Sequence, residues 1–525
     1  MKKILKGALI LVLCTMFFAA CGTTEKSAAT DGAKEEKTVK SDKQAAKEQQ
    51  KAEKQKAKEK KKAGKSKEAK SGNYLVPINA AVTAGEYADA YALISDETNR
   101  AYLGSDDVYN MDAGMIKLYA DENEAAISHL GPVANMDTLN EKYAGADKVV
   151  LSTFFADEYS QPYVTYDYED VYAIIFDAVA KLDNPATADA AFQDLKNIRE
   201  MLLAMDQYNK ALTEKMNGAG ELDKESTEKL PKPANIVYHN SALANYLALI
   251  YNKYNDRDGD QRDFLYKQMK ESYAQDSYEG QHMPATAEVE RGSLPAGKAR
   301  LNVLALKGLM AEKVEADPIS APAPTGFLTS QLESNEQLKN ANIDIASRLN
   351  APNNPLSGAM VKVVYSGLRN RTTLKEGPCT VTINGNTFPL ETIENVSAIA
   401  GKCTARKQYM AARRSMYRSM FKAIPLFVSY LLLPDPSTIS NPIARKAAEA
   451  SLGSAGDKIR AALMNDHADI RGAHYYPAEV QAGGIDLDPG TYEVVVQFPG
   501  ESEPVKKTVE VKAGQLNLVQ VECLK

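Results

Sequence analysis

Near Arg300 the spacing of apolar residues changes, and this change limits the fold more than any other feature of the chain. Before it the period is helical. Val171, Ile174, Ile175 and Ala178 recur at i, i+3, i+4, i+7, as do Leu243, Tyr246, Leu247 and Ile250. After it the period is two, with Leu301, Val303 and Ala305 on one side of "ARLNVLAL" and a second alternating run in "MVKVVYSG". "CTVTINGNTFPL" reads as a hairpin, because Asn384-Gly385 supplies the two positive-φ positions of a type I′ turn. Helix returns from about 401 to 467. Four strands then close the chain, with turns at Asp488-Pro489-Gly490, Pro499-Gly500 and Lys512-Ala513-Gly514. All-α and all-β folds are excluded. The expectation is a multidomain α+β chain: helical hairpins, then a mixed β and helix region, then a C-terminal antiparallel sheet.

The N-terminus reads as an address. Lys2, Lys3 and Lys6 precede an uncharged stretch from Ala8 to Ala20, too short to span a ~30 Å hydrocarbon core but suited to a secretory signal. Phe18-Ala19-Ala20-Cys21 resembles the lipobox of bacterial lipoproteins, with Phe where Leu is usual. The resemblance implies cleavage after Ala20 and lipid on Cys21, hence a membrane as first partner. Gly22, rather than Asp, follows the cysteine, and in that family this points to the outer membrane facing the periplasm. Residues 34–70 hold 15 Lys and few apolar residues, so they read as a solvated tether that cannot bury a core. The first 70 residues carry net +10, which leaves −16 on the remainder of a chain whose total is −6. An acidic body outside a membrane makes nucleic acid an unsuitable partner.

The boundaries that follow are 1–20 signal peptide, 21–72 anchor and tether, 73–290 helical domain, 299–400 β-rich region with a Pro-rich insertion, 401–467 helical segment and 468–525 β module. Gly85, Tyr87 and Ala90 form a G-x-Y-x-x-A that resembles the turn and second helix of a tetratricopeptide repeat, although the units are irregularly spaced. Such a domain presents a concave face to a protein partner.

Several motifs invite a chemical reading and fail on spacing. Gly292 to Lys298 has phosphate-loop spacing, but Ala299 stands where Ser or Thr is needed, and the stretch precedes a strand. Ser419 and Lys422 have S-x-x-K spacing without partner motifs; Arg414, Arg418 and Lys422 share one helix face that would meet the acidic body or solvent. Asn255 to Asp260 clusters carboxylates without calcium-loop register. His467 and His474 stand seven apart near Asp466 and Asp469, a weak metal spacing. Cys379 and Cys403 are candidates for a disulfide in an oxidising compartment, with Cys523 left over. The apolar run from Ala423 to Leu433 is too short to cross a bilayer.

"DIRGAHYYPAEVQAGGIDLDPGTYEVVV" is similar to the closing module of a family of uncharacterised bacterial envelope lipoproteins. Asp469, Arg471, Pro477, Leu487, Pro489, Gly490 and Tyr492 carry the similarity. Gly472-Ala473-His474 departs from it where the family often has Trp. The resemblance implies architecture and location but no chemistry. Asp469 and Arg471 are expected to pair at the helix-to-sheet junction, and Gly490 to sit at positive φ in a type II turn. The resulting expectation is a lipid-anchored, non-catalytic protein-interaction scaffold without cofactor or metal. The alternative is an envelope enzyme or ligand-binding lipoprotein acting on wall or surface polymer.

Overall fold

A computed structural model describes residues 74–145, 161–218, 222–255, 259–349, 354 and 357–525. Cys21, the signal and the tether lie outside the described residues, as do 256–258 of the acidic cluster. Pro77–Lys525 forms one compact unit.

The N-terminal half is helical, as its period requires. Its elements are α1 (Leu75–Ala84), α2 (Tyr87–Ser95), α3 (Glu97–Leu103), α4 (Asp106–Tyr119), α5 (Asn123–Val133), α6 (Met136–Ala144), α7 (Asp167–Leu182), α8 (Ala188–Asn217), α9 (Ala242–Asn255), α10 (Asp260–Tyr273) and α11 (Thr286–Arg291). Short polar residues start several of them: Asp96 accepts from the Thr98 and Asn99 amides, and Ser105 from the Asp107 amide. Gly85 has φ +76° between α1 and α2, and Ala90 is fully buried. Successive helices pack on one another: α4 on α5, α5 on α7, α7 on α8, α8 on α9 and α9 on α10. α7 is buried on nearly every side, because helices and the end of the sheet region enclose it.

The strands are β1 (Ala299–Leu309), β2 (Glu312–Glu315), β3 (Ile319–Pro322), β4 (Met360–Val363), β5 (Ser366–Arg369), β6 (Thr380–Ile383), β7 (Asn386–Pro389), β8 (Glu391–Glu394), β9 (Pro477–Leu487), β10 (Gly490–Gln497), β11 (Val505–Val511) and β12 (Asn517–Cys523). Between them run α12 (Thr325–Glu333) inside the Pro-rich insertion, α13 (Val396–Leu431) and α14 (Pro442–Met464). Asn395 caps α13, and Asn441 followed by Pro442 at the first helical position starts α14.

The closing strands do not form a sheet of their own, which corrects the expected 468–525 module. One sheet runs β12-β1-β9-β8 and the other β11-β10-β6-β7. β1 is central to the first, antiparallel to β9 and parallel to β12. The two sheets enclose a core that includes Leu301, Val303, Ala305, Val381, Ile383, Val494, Val496, Val519 and Val521. The cause is burial. β1 is covered on both faces, and its Arg300 and Asn302 meet Glu290 of α11 at 2.7 and 2.9 Å. A strand buried on both sides needs a neighbour at each edge, and β9 and β12 supply them. The 299–400, 401–467 and 468–525 boundaries therefore fall within one interleaved body.

The Asn384-Gly385 hairpin forms as read, with φ +50° and +77° and Ile383 paired to Asn386. Gly490 is corrected. It is the first residue of β10, paired with Val511, and is absent from the positive-φ positions. Asp488-Pro489 carries the chain from one sheet to the other instead of folding β10 back on β9, so no type II turn is required. Gly500 and Gly514 do adopt φ +86° and +72°. The Cys379–Cys403 pairing also fails. Cys379 lies in the sandwich core, whereas Cys403 is on α13, and both are free and buried. A second core joins α12, β3, β4, α13 and α14, and it takes in Ala423, Phe427 and Leu431 of the apolar run. Among the described residues, no helix is long and apolar enough to cross a membrane.

Candidate functional site

A cavity of about 1120 Å³ opens between two long helices. One wall is the C-terminal half of α8, from Asp206 to Asn217; the other is α13 from Arg406 to Arg414. Two segments without helix or strand, 161–166 and 233–239, complete the sides. Val364 to Ser366 and the Asp469–Arg471 pair close its ends.

The helical period places the wall residues. On α13, Arg406, Met410 and Arg414 stand at i, i+4, i+8 and so share a face. The basic stripe noted in the sequence splits here. Arg414 lines the cleft, whereas Arg418 is buried and bidentate on Asp466 (2.8 to 3.0 Å), which also holds Lys422 at 3.0 Å. That occupies the lysine of the S-x-x-K match, and Ser419 is sealed in the core.

Asp167, the first residue of α7, is the hub of the floor. It receives the Lys407 ammonium at 2.9 Å, the Arg406 guanidinium and the Asn209 amide at 3.3 Å. Arg406 also reaches toward Asp206 at 3.7 Å, and Asp206 is held by Lys210 at 2.8 Å with His239 at 3.4 Å. Burial pulls both the Arg406 guanidinium and the Lys407 ammonium below their usual ranges, and for Lys407 the Arg406 and Lys142 charges add to it. Both carboxylates are thus engaged as counterions.

A second network ties the site to the closing segment. Glu169 is fully buried and accepts from the Tyr163 hydroxyl (2.6 Å), the Tyr166 amide and the Ala473 amide (3.1 Å), with Lys313 at 3.7 Å. Lys313 donates to the Tyr163 hydroxyl and the Arg471 carbonyl, each at 2.8 Å. Two lysine side chains approach the Tyr166 ring, Lys313 at 3.7 Å and Lys407 at 4.5 Å from its centroid. Glycine at 472 has a local cause: a Cβ there would stand 2.7 Å from Glu169 Oε1.

Asp469 and Arg471 meet as a bidentate pair at 2.9 and 2.8 Å. Arg471 also donates to the Gly104 and Gln161 carbonyls at 3.3 and 3.2 Å, linking α3 and the cleft rim to the closing segment. Gly490 lies apart in the sandwich. The two histidines diverge: His474 sits 2.6 Å from buried Asp112, whereas half-exposed His467 is 3.9 Å from Glu315. Among the described residues, no group of three metal-ligating side chains assembles. The phosphate-loop spacing ends in Lys298, which pairs with Asp488 at 2.9 Å just before β1.

Sequence reasoning missed Asp167, Glu169, Lys313, Arg406 and Lys407. The available signal was composition: "YVTYDYED" puts three tyrosines and three carboxylates at one helix start. No protein-family model, curated protein or solved structure matches the chain.

Proposed function

We propose that this protein is a non-catalytic, lipid-anchored component of a bacterial envelope that holds an extended stretch of a partner polypeptide in the α8–α13 cleft. One observation carries the reading: Tyr166, Tyr208, Tyr365 and Tyr409 line a single cavity from several sides while half-buried. Such rings offer large, rigid contact area at little entropic cost and keep a hydroxyl for hydrogen bonding. The irregular segments 161–166 and 233–239 bring main chain to the rim, which suits an extended occupant. The engagement of Asp167 and Asp206 by cations supports binding over acid–base chemistry. The consecutive hairpins from α1 to α10 are read as degenerate tetratricopeptide-like units that brace the α8 wall. Lipid on Cys21 and the Lys-rich tether would hold this body at the membrane, facing the periplasm from the outer membrane.

Two measurements test this. Fatty-acid labelling in cells should mark the parent and not Cys21→Ser; equal labelling would remove the anchor from the account. Crosslinking pull-down with the anchored protein should recover a partner, and Tyr208→Ala with Tyr409→Ala should weaken recovery about tenfold or more. Undiminished recovery would move the binding surface elsewhere.

A further inference from the structure

Three tyrosine hydroxyls in the cleft are unspent. Those of Tyr208, Tyr365 and Tyr409 make no hydrogen bond among the described residues, although all three residues line the cavity. Tyr208 lies on α8, Tyr409 on α13 and Tyr365 between β4 and β5, so the hydroxyls come from different walls. Tyr166 beside them shares its hydroxyl with Ser366 at 2.9 Å. Several core tyrosines are spent on protein acceptors: Tyr119 on the Tyr475 carbonyl at 2.6 Å, Tyr172 on Glu394 at 2.7 Å and Tyr476 on the Glu169 carbonyl at 3.0 Å. The rim segment 233–239 also holds unspent donors. The amides of Asn235, Ile236 and Val237 donate to nothing among the described residues, whereas the Ile236 carbonyl accepts from Arg406 at 3.4 Å and the Val237 carbonyl from the Ser277 amide at 3.3 Å. A half-buried tyrosine with a free hydroxyl offers a flat apolar face and a donor at its edge. Three of them around one cavity suit an occupant that presents apolar rings and bare carbonyls.

We infer that the cleft takes a proline-rich stretch of the partner in the polyproline II conformation. This deepens the proposed function and rests on the cleft being the binding site. Polyproline II makes no internal hydrogen bonds, so each carbonyl of the stretch is open to a donor. Proline lacks an N–H, so the stretch asks for no acceptor in return. An ordinary extended chain exposes an N–H with each carbonyl, and the Ile236 and Val237 carbonyls on the rim are already taken. The pyrrolidine rings would pack on the tyrosine faces while the hydroxyls and rim amides bond the carbonyls. A stretch whose φ is fixed before binding loses little freedom on docking, which is why aromatic-lined grooves hold such segments.

The test uses the full chain in detergent and a capped oligoproline of about ten residues, with a capped glycine–serine peptide of equal length as the comparison probe. The oligoproline should bind at least about tenfold more tightly than the glycine–serine peptide. Neither peptide is charged, so salt should hardly change either affinity. Tyr208→Phe, Tyr365→Phe and Tyr409→Phe each keep the ring and remove only an unspent hydroxyl. Their melting temperatures should match the parent, and each should weaken oligoproline binding about two- to tenfold, the worth of one hydrogen bond. Tyr409→Ala removes the ring as well and should weaken binding further than Tyr409→Phe; circular dichroism establishes that it is folded, and if it is not, the three Phe variants decide. Equal binding of the two peptides, no binding of the oligoproline, an affinity that falls steeply with salt, or unchanged affinity in all three Phe variants would overturn the inference. Failure here alongside cleft crosslinks to a partner would leave the binding function standing. Tyrosine-dependent oligoproline binding without such crosslinks would leave the proline subsite and remove the cellular partner.

Discussion

Glu394, at the end of β8, is the buried group whose removal has the most calculable consequence. Its carboxylate is fully buried and accepts from four donors: the Tyr172 hydroxyl at 2.7 Å, the Leu243 amide at 2.9 Å, the Ser241 hydroxyl at 3.1 Å and the Tyr278 hydroxyl. It therefore fastens the β8 edge of the sandwich to α7, to the start of α9 and to the segment after α10. Glu394→Ala leaves four donors with no acceptor. Each orphaned donor costs about 1–3 kcal/mol. Three of them are hydroxyls that can rotate toward other acceptors, and relief of the carboxylate's own desolvation offsets part of the rest. The net loss expected is about 3–5 kcal/mol, the range for breaking a buried polar network. Glu394→Gln keeps one acceptor oxygen and should cost less, about 1–2 kcal/mol. Burial pushes this carboxyl above its usual range, against the pull of its hydrogen bonds. The folded state then holds the proton more tightly than the unfolded one, so the group's contribution is fullest below about pH 4.3 and declines as pH rises. The penalty of the Gln variant should accordingly shrink toward alkaline pH. Urea denaturation followed by circular dichroism reads both effects, and an Ala variant within about 0.5 kcal/mol of the parent would refute the reasoning.

Burial raises Glu522 to about 7, with Asp121 adding to the rise and Lys507 opposing it. The folded chain thus keeps a proton that the unfolded chain loses near pH 4.3, and this stability is lost as pH rises through about 7. Glu522→Gln should raise the melting temperature at about pH 8 and leave it nearly unchanged at about pH 4; equal shifts at both would contradict the assignment. Gly490→Ala should be tolerated, because its Cβ would meet nothing closer than Tyr492 at 3.6 Å, whereas Gly472→Ala should destabilise by about 1–3 kcal/mol through its contact with Glu169. Thermal melts of the pair decide, and equal melting would count against both placements. Burial pushes the Cys379 and Cys403 thiols up to about 12, so neither should react with an alkylating agent until the protein is denatured. Mass spectrometry that finds either one modified in the native state would place it wrongly.

Elements set by local pattern were readable: α7 and α9 from their apolar stripes, and the β6–β7 hairpin from Asn384-Gly385. Sheet membership was not. "IDLDPGTYEV" has the spacing of a tight hairpin, yet β9 and β10 belong to different sheets because β1, nearly 180 residues earlier, takes the edge of β9. Nothing local to β9 encodes that partner. The candidate site was half legible for the same reason. Asp469 and Arg471 are two residues apart and could be read as a pair, whereas Asp167 and Arg406 meet only because α7 and α13 pack together. A polar residue at a helix start reads as a cap, and its second role as counterion to a distant cation leaves no periodic trace.

The central claim is that the α8–α13 cleft is where this protein engages its partner. Site-specific photo-crosslinking from within the cleft addresses it most directly. A photoreactive residue at Tyr208, and another at Tyr365 on a different side, would be compared in cells with one at Phe264, which is 52% exposed and lies on α10 outside the cleft. Engagement of a partner in the cleft predicts a shared adduct from both cleft positions that is missing from the Phe264 position and is reduced when Tyr409 is replaced by Ala. Adducts of equal yield from all three positions, or from Phe264 alone, would contradict it.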